Sequence, residues 1–325
     1  MTGIRTKGEK RLVVIAGRSH PELAEAVAAE LDTALLPVET RTFASGEIYT
    51  RMEESVRGCD AFVIQSYGGP VNEWLIEQLI MIDTLKRASA KRITAVVPYY
   101  PYSRQDKKSR GRDPISARLI ADLFKTAGAE RIISVDLHAA QIQGFFDGPL
   151  DQLFAMPVLV DHIERTVDKS NLMVVSPDMG RVRVADVWSD RLDVPLAIIH
   201  KRRDPAVPNQ VTVHEIVGDV RGKMCLLVDD MIDTGGTIVK GAEALKANGA
   251  TGVIVAATHA IFSDPAVERL TSPAIDRVIV TDTLPITPDK RFDSLEVLSM
   301  APVIARAIHE VFEDGSVTSM FNGAA

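Results

Sequence analysis

The sequence MCLLVDDMIDTGGT at residues 224–237 decides the interpretation of the fold. Residues 224–228 are apolar and rich in branched side chains, which is typical of a buried strand. Asp229 and Asp230 follow, and a turn with two consecutive glycines then leads into a helix predicted for residues 238–248. A strand, a glycine turn and a helix in this order indicate an open α/β sheet, whose ligands bind at the carboxyl ends of its strands.

The first half of the chain contains a related pattern. VRG at residues 56–58 precedes an apolar strand and Ser66, and VRG at residues 220–222 precedes the strand that leads to Asp230. The offset is constant, because 220 − 56 = 164 and 230 − 66 = 164. Each strand is followed by a pair of glycines and a long helix. The repeated order predicts an internal duplication of one doubly wound α/β domain.

Apolar, β-branched runs alternate with amphipathic stretches throughout, which favours mostly parallel sheets flanked by helices. In the first half the pattern predicts strands at 12–16, 61–65, 93–97 and 131–136, and helices at 21–31 and 71–89. In the second half it predicts strands at 172–176, 196–199, 224–228, 252–257 and 277–281. We therefore expect two α/β domains, at residues 1–157 and 158–325, with a loop at 282–293. The last helix, at 301–312, is able to pack on the N-terminal domain.

Composition narrows the class of protein. The 325 residues include 37 Lys and Arg against 44 Asp and Glu, so the net charge is 37 − 44 = −7, which argues against general nucleic-acid binding. The longest apolar runs fall short of the ~18 residues that a membrane span needs. Cys59 and Cys225 are far apart, which fits a reducing compartment and argues against a structural metal cluster. We expect a cytoplasmic enzyme.

The glycine turn has the features of a phosphate site. Gly235 and Gly236 let the backbone approach an anion, while Thr234, Thr237 and the helix N-terminus add donors. The chain lacks both GxxxxGK[ST] and GxGxxG, so neither a Walker-type NTPase nor a dinucleotide site is supported. The preceding aspartates suit Mg²⁺ or sugar hydroxyls; the alternative is that they cap the helix.

A second charged segment lies at residues 103–113, SRQDKKSRGRD, with five basic and two acidic residues. The segment has no apolar periodicity, so it is predicted to be a mobile basic loop that closes over a polyphosphate. A solvated surface loop is the alternative. His138 follows the predicted strand at 131–136, a position where a lone histidine is more often structural than functional.

Several motifs together resemble one family. DDMIDTGGT at 229–237 resembles the phosphoribosyl pyrophosphate loop that phosphoribosyltransferases share with ribose-phosphate pyrophosphokinases. The other motifs are similar to segments of class I, bacterial-type ribose-phosphate pyrophosphokinases and occur in the same order: FASGE at 43–47, YSRQDKK at 102–108, PISA at 114–117, DLHAAQIQGFF at 136–146, SPD at 176–178 and KRR at 201–203. The resemblance covers nearly the whole chain.

The resemblance implies two type I phosphoribosyltransferase-like domains, of which the first has a degenerate phosphate loop. It also implies transfer of the diphosphoryl group of ATP to the C1 hydroxyl of ribose 5-phosphate, giving phosphoribosyl pyrophosphate and AMP for nucleotide, histidine and tryptophan biosynthesis. Mg²⁺ is the implied cofactor. A homo-oligomer built from dimers, often a hexamer, with activation by phosphate and inhibition by ADP, is implied as well.

The resemblance also assigns site residues. The implied ATP ligands are Phe43, Ser45, Gly46, Glu47, Arg104, Gln105, Asp106 and Lys107. The implied ribose 5-phosphate ligands are Arg203, Asp229, Asp230, Asp233, Thr234, Gly235, Gly236 and Thr237. Lys201 and Arg203 are the implied catalytic residues, and His138 and Asp178 the implied metal ligands. In an extended segment Lys201 and Arg203 face one side, so Arg202 is expected to point away.

Three positions depart from the family pattern: Ser45, where Asp is frequent, Asp113, where Ala is usual, and Arg181, where a second Gly is common. Arg181 adds a cation close to Asp178, and we expect an effect on effector or phosphate binding. Two rival functions stay open from the sequence. A phosphoribosyltransferase explains the loop at 229–237 but not the duplicated half, and a catalytically silent regulatory subunit is disfavoured by the intact Lys201 and His138.

Overall fold

The computed structural model describes residues 10–202 and 213–321, and side chains are described for all of these except 201, 202, 213 and 214. These residues form two compact units. The first contains the described residues up to Phe154 together with those from Ala301 onwards, and the second contains the described residues from Ala155 to Met300. Within the described ranges, every helix is too short or too polar to cross a membrane.

Fourteen strands and eight α-helices occur in these ranges. The strands are β1 (Leu12–Ala16), β2 (Val38–Thr42), β3 (Ile48–Met52), β4 (Asp60–Ile64), β5 (Arg92–Val97), β6 (Arg131–Val135), β7 (Leu150–Leu153), β8 (Leu172–Ser176), β9 (Leu196–Arg202), β10 (Val213–Val217), β11 (Met224–Ile232), β12 (Gly252–Ala260), β13 (Arg277–Thr281) and β14 (Leu295–Leu298). The helices are α1 (Pro21–Glu30), α2 (Val71–Arg87), α3 (Ser116–Ala127), α4 (Met156–Thr166), α5 (Val182–Leu192), α6 (Gly236–Ala247), α7 (Ala266–Leu270) and α8 (Ala301–Phe312).

The first unit is built on a five-stranded parallel sheet in the order β1-β4-β5-β6-β7. All five residues of β4 are buried, as expected for a parallel strand covered on both faces. β2 and β3 form a separate antiparallel hairpin. Helix α8 packs against α1, and Arg92 on β5 forms an ion pair with Asp314, so the C-terminal segment belongs to this unit.

The second unit is built on a seven-stranded sheet in the order β10-β9-β8-β11-β12-β13-β14. Among the strand pairs of this sheet in the described residues, β9–β10 is antiparallel and the others are parallel. All nine residues of β12 are buried, and an apolar cluster that includes Val175, Leu227 and Val255 forms the core on one face. Burial of such side chains stabilises the sheet by about 25 cal/mol per Å² of apolar surface.

The strand orders confirm the predicted duplication. The order β1-β4-β5-β6-β7 in the first unit is matched by β8-β11-β12-β13-β14 in the second, and all the pairs are parallel in both. β4 begins at Asp60 and β11 at Met224, which is again an offset of 224 − 60 = 164. The repeated apolar runs therefore fold into equivalent central strands.

Two predicted ends of strands that carry site residues are wrong, and β12, which was expected to end at Ala257, continues to Ala260 beside β11. β9 was expected to end at Ile199 but continues to Arg202, because β10 pairs with it and supplies its hydrogen bonds. β11 was expected to end at Val228 but continues to Ile232, because β12 accompanies it as far as Ala260. Both extensions carry predicted site residues, so Lys201, Asp229 and Asp230 lie on strands and not in loops.

Candidate functional site

The acidic pair of the second unit, Asp229 and Asp230, lies where β11 extends beyond its pairing with β8. β11 pairs with β8 only as far as Leu227, whereas its pairing with β12 continues to Ile232. Asp229 and Asp230 therefore lie beside an unoccupied strand edge at the carboxyl end of the sheet. Their side chains are 17% and 11% exposed, which is low for carboxylates and means that they need a counter-charge.

Arg181 supplies positive charge to both carboxylates. Its Nε lies 3.3 Å from Oδ1 of Asp229, and its Nη2 donates to Oδ1 of Asp230 at 2.6 Å. The backbone N–H of Asp230 also donates to Oδ1 of Asp229, at 2.9 Å. Burial and the neighbouring charge of Asp230 raise the pKa of Asp229, and Arg181 opposes that rise. The two carboxyl groups therefore repel each other when both are ionised, and a nearby positive charge reduces that repulsion.

Asp178 is joined to this cluster through the turn that carries Arg181. Its Oδ1 accepts hydrogen bonds from the backbone N–H groups of Gly180, at 2.8 Å, and Arg181, at 3.1 Å. The hydroxyl of Ser176 at the end of β8 donates to the carbonyl of Asp178 at 2.8 Å. The turn after β8 thus fixes both the predicted metal ligand and the arginine. It brings Asp178 and the acidic pair to the same strand ends.

The glycine turn follows directly. Gly235 has a φ of 69° and is the N-cap of α6, whose first residue is Gly236. Left-handed backbone of this kind costs other residues energy, so the glycine sets the point where the helix begins. Thr234 and Thr237 are exposed beside the turn, and Asp233 is half-buried. The N–H groups in the first turn of a helix have no acceptor within the helix and favour an anion, so this turn is a candidate phosphate site.

Arg269 is a site residue that sequence reasoning missed. It lies on α7, and its Nη1 donates to the carbonyl of Thr234 at 2.8 Å. A Cβ added to Gly236 would come within 3.2 Å of the same nitrogen. The guanidinium of Arg269 therefore packs on the glycine turn at residues 233–237, hereafter the phosphate turn. Because α7 meets α6 only through the tertiary fold, no local pattern around residue 269 indicates this contact.

Lys201 lies on β9, opposite His214 of β10 in the antiparallel register. The site residue predicted next to it, Arg203, lies outside the described residues. That Lys201 and Arg202 face different sides stays a prediction from the alternation of side chains along a strand.

In the first unit, Phe43 to Glu47 form the turn of the β2–β3 hairpin. The backbone N–H of Phe43 donates to the carbonyl of Glu47 at 2.8 Å, and Gly46 has a φ of 90°. The Ser45 hydroxyl donates to the Glu47 carboxylate at 2.7 Å. The Phe43 ring is 46% exposed, and Arg41 lies 5.2 Å from its centre. The turn thus presents an aromatic face and a carboxylate to solvent.

The basic segment at 103–113 has no helix or strand, as predicted, and Arg104 and Lys107 are exposed. The Gln105 side chain accepts a hydrogen bond from the hydroxyl of Ser116 at 2.5 Å. Asp106 differs from its predicted neighbours because it is buried and its carboxylate accepts a hydrogen bond from Gln141. In this conformation Asp106 anchors the start of the segment while the cations stay in solvent.

Asp113, one of the departures from the family pattern, closes the same segment. Its Oδ2 accepts hydrogen bonds from the backbone N–H groups of Ser109, at 3.1 Å, and Arg110, at 2.7 Å.

His138 follows β6 and is half-buried. In the described part of the chain, no three or more His, Cys, Asp or Glu side chains form a metal-binding group.

Family models match the chain in two places. Residues 12–128 match the N-terminal domain of ribose phosphate pyrophosphokinase. Residues 204–322 match the phosphoribosyl synthetase-associated domain.

Curated relatives match along the full length. Ribose-phosphate pyrophosphokinase from Streptomyces avermitilis is 62% identical over 322 residues, 99% of either chain. The protein of the same name from Mycobacterium tuberculosis is 61% identical over 98% of either chain. That from Corynebacterium glutamicum is 59% identical over 100% of either. The crystal structure of phosphoribosylpyrophosphate synthetase from Mycobacterium smegmatis superposes with a TM-score of 0.90, at 59% identity, over 94% of this chain and all of that one.

Proposed function

Since the chain belongs to the ribose-phosphate pyrophosphokinase family, and so makes phosphoribosyl pyrophosphate and AMP from ATP and ribose 5-phosphate, we propose how its residues divide that reaction. The second unit binds ribose 5-phosphate. The hairpin turn and the basic segment of the first unit bind ATP. The observation that carries the proposal is the glycine turn at the N-terminus of α6, directly after a buried acidic pair.

The 5′-phosphate binds at residues 233–237. The left-handed Gly235 turns the chain so that the first N–H groups of α6 point outward, and the hydroxyls of Thr234 and Thr237 are exposed at the same place. Backbone donors and a helix dipole favour an anion without a lysine. The side chain of Asp233 flanks the phosphate, and Arg269 supports the turn from behind.

The ribose hydroxyls bind at Asp229 and Asp230. Carboxyl oxygens accept hydrogen bonds from sugar hydroxyls, and two adjacent acceptors match a pair of neighbouring hydroxyls. Both carboxylates lie at the carboxyl end of the sheet, where open α/β folds bind ligands.

ATP binds to the first unit through two segments. Phe43, with its half-exposed ring, suits stacking against adenine, and Ser45, Gly46 and Glu47 supply polar contacts to the base. Arg104, Gln105 and Lys107 supply positive charge and donors for the phosphates. Asp106 contributes by anchoring this segment to Gln141.

The reaction forms a bond from the C1 oxygen of ribose 5-phosphate to the β-phosphorus of ATP. The bond between the β-phosphorus and the oxygen bridging to the α-phosphorus breaks, AMP leaves with that electron pair, and the C1 hydroxyl releases its proton to solvent. Such transfers depend on positioning and on neutralising charge at the phosphoryl group. Lys201 and Arg203 are the residues of the second unit that supply that charge. No covalent enzyme intermediate is needed.

Mg²⁺ is the proposed cofactor, and His138 of the first unit and Asp178 of the second are each proposed as side chains that would hold it. Mg²⁺ usually keeps several waters and phosphate oxygens and takes few protein ligands, so two protein side chains agree with its preference. When bound, it neutralises phosphate charge and polarises the reacting phosphorus. His138 follows β6 in the first unit and Asp178 follows β8 in the second, and both are half-buried at strand ends.

The family pattern also supports a homo-oligomer, a hexamer built from dimers, which phosphate activates and ADP inhibits. Sedimentation of the purified protein tests the assembly, and assays with added phosphate or ADP test the regulation. A stable monomer, or rates that do not respond to either effector, contradict these assignments.

A pair of substitutions tests the division of substrates. Thr237→Val removes one hydroxyl at the phosphate turn, and Ser45→Ala removes one at the hairpin turn. We expect the first to raise KM for ribose 5-phosphate and the second to raise KM for ATP, each about tenfold or less and with little effect on the other substrate. The same shift in both constants for both variants would contradict the division.

A further inference from the structure

Arg181 stands at a position that helix stability does not explain. It is the N-cap of α5, and its side chain makes no capping hydrogen bond. A positive charge at a helix N-terminus opposes the helix dipole and is ordinarily unfavourable by a few tenths of a kcal/mol to about 1 kcal/mol. The arginine therefore needs a partner elsewhere.

The partner is the acidic pair. The guanidinium contacts a carboxylate oxygen of Asp229 and one of Asp230, and all three side chains are less than one-fifth exposed. Arginine presents several donors in one rigid plane, so one side chain is able to orient two carboxylates at once. A lysine would supply charge at a single point.

This geometry changes what the acidic pair requires. Two adjacent, poorly hydrated carboxylates repel each other and draw in a cation. A divalent ion is the usual solution in an oxygen-rich site. Here the positive charge belongs to a side chain of the protein itself, Arg181, in the turn after β8.

We propose that Arg181 is a positioning residue for ribose 5-phosphate, and that its guanidinium takes the place of a metal ion at Asp229 and Asp230. The proposal rests on the proposed function, which assigns this pair to the ribose hydroxyls. It follows that the sugar phosphate binds without divalent metal, and that metal is needed only with ATP.

Calorimetric titration with ribose 5-phosphate in EDTA tests this on the full-length protein. The wild type is expected to bind, and Arg181→Gln is expected to bind about tenfold more weakly or worse, since bonds between charged groups are lost. Adding Mg²⁺ is expected to restore part of the affinity of Arg181→Gln and to leave the wild type unchanged. Arg181→Lys is expected to fall between the two. Arg183→Gln, on the exposed side of α5, is the matched control.

Steady-state kinetics separates positioning from general damage. Arg181→Gln is expected to raise KM for ribose 5-phosphate while KM for ATP stays within about twofold of the wild type. Equal rises in both constants, ribose 5-phosphate affinity unchanged in Arg181→Gln, or a wild type that fails to bind in EDTA would each overturn the proposal.

The variant Asp230→Asn distinguishes failure of the proposal on Arg181 from failure of the proposed function. If Asp230→Asn binds ribose 5-phosphate as well as the wild type, the pair is not the ribose site, and both ideas fall. If Asp230→Asn binds weakly and Arg181→Gln binds normally, only the role of Arg181 is wrong. In the double variant the losses are expected to be smaller than the sum of the single losses, because the two residues are in contact.

Discussion

Nη1 of Arg269 lies 2.8 Å from the carbonyl oxygen of Thr234 and so ties α7 to the phosphate turn. Arg269→Ala removes that donor and leaves a carbonyl of the turn without it. We expect KM for ribose 5-phosphate to rise about three- to tenfold, with KM for ATP unchanged. Glu268→Ala, an exposed neighbour on the same helix, is the control. Unchanged affinity for ribose 5-phosphate in Arg269→Ala would show that the turn does not depend on this contact.

The left-handed backbone of Gly235 gives a second prediction. The nearest atoms to an added Cβ lie 3.5 Å away, so space is available and only the φ of 69° opposes a side chain. Gly235→Ala is expected to lower the free energy of unfolding by about 1–2 kcal/mol and to weaken ribose 5-phosphate binding. Gly235→Asn is expected to cost less, since Asn tolerates this conformation better.

Thermal melts of both variants check this, with Gly144→Ala as control because open space surrounds that glycine and its φ is ordinary. Equal stability of the Ala and Asn variants at position 235 would contradict the backbone argument.

Lys201 and Arg202 occupy neighbouring positions on β9. If Lys201 neutralises charge at the reacting phosphate, Lys201→Ala is expected to lower kcat by about 10²–10³ or more. Arg202→Ala is expected to have a much milder effect, because neighbouring residues on a strand face opposite sides. Initial rates at saturating ATP and ribose 5-phosphate measure both. Equal losses for the two variants would refute the assignment of Lys201.

Asp113 is expected to hold the basic segment in its described conformation. Asp113→Ala removes the acceptor for the backbone N–H groups of Ser109 and Arg110. Trypsin is then expected to cut faster between residues 107 and 112, and KM for ATP is expected to change about threefold, the equivalent of roughly 0.7 kcal/mol. Ser109→Ala keeps the backbone donor and serves as the control. Identical cleavage rates for Asp113→Ala and the wild type would contradict the anchoring role.

The lowered pKa of Asp314 gives a prediction of how the stability of the first unit depends on pH. Hydrogen bonds from Lys10 and then Arg92 lower the pKa of Asp314 from 3.8 to about 2. A carboxylate whose pKa is lower in the folded state stabilises the protein above its unfolded pKa, and this contribution is lost as the pH falls through the folded value. The Tm difference between wild type and Asp314→Asn is therefore expected to be constant above about pH 5 and to shrink between pH 4 and 2. A difference independent of pH would contradict this account.

The sequence patterns predicted the central strands well because each depends on a local apolar run. β8, β13 and α8 have the predicted bounds, and the 164-residue offset reappears as matching strands β4 and β11. The ends of β9 and β11 were wrong because pairing with β10 and β12 extends them. A strand that continues through charged residues depends on its partner, which a local pattern does not reveal.

The assignment of the site residues stays a prediction, but the structure shows where the described ones lie. The glycine turn and the acidic pair were recognisable because their residue types and spacing carry the chemistry. Arg181 was expected to act near Asp178, and its backbone does bond there, but its guanidinium reaches Asp229 and Asp230. Arg269 gave no local indication because the contact with Thr234 depends on the packing of α7.

The most direct test of the central claim follows the reaction by ³¹P NMR, with the purified protein, MgATP and ribose 5-phosphate and no nucleobase. The account predicts AMP and phosphoribosyl pyrophosphate in equal amounts, with no ADP. A phosphoribosyltransferase would make no phosphoribosyl pyrophosphate under these conditions, and a silent regulatory subunit would leave ATP intact. Formation of ADP, or no reaction at all, would contradict the account.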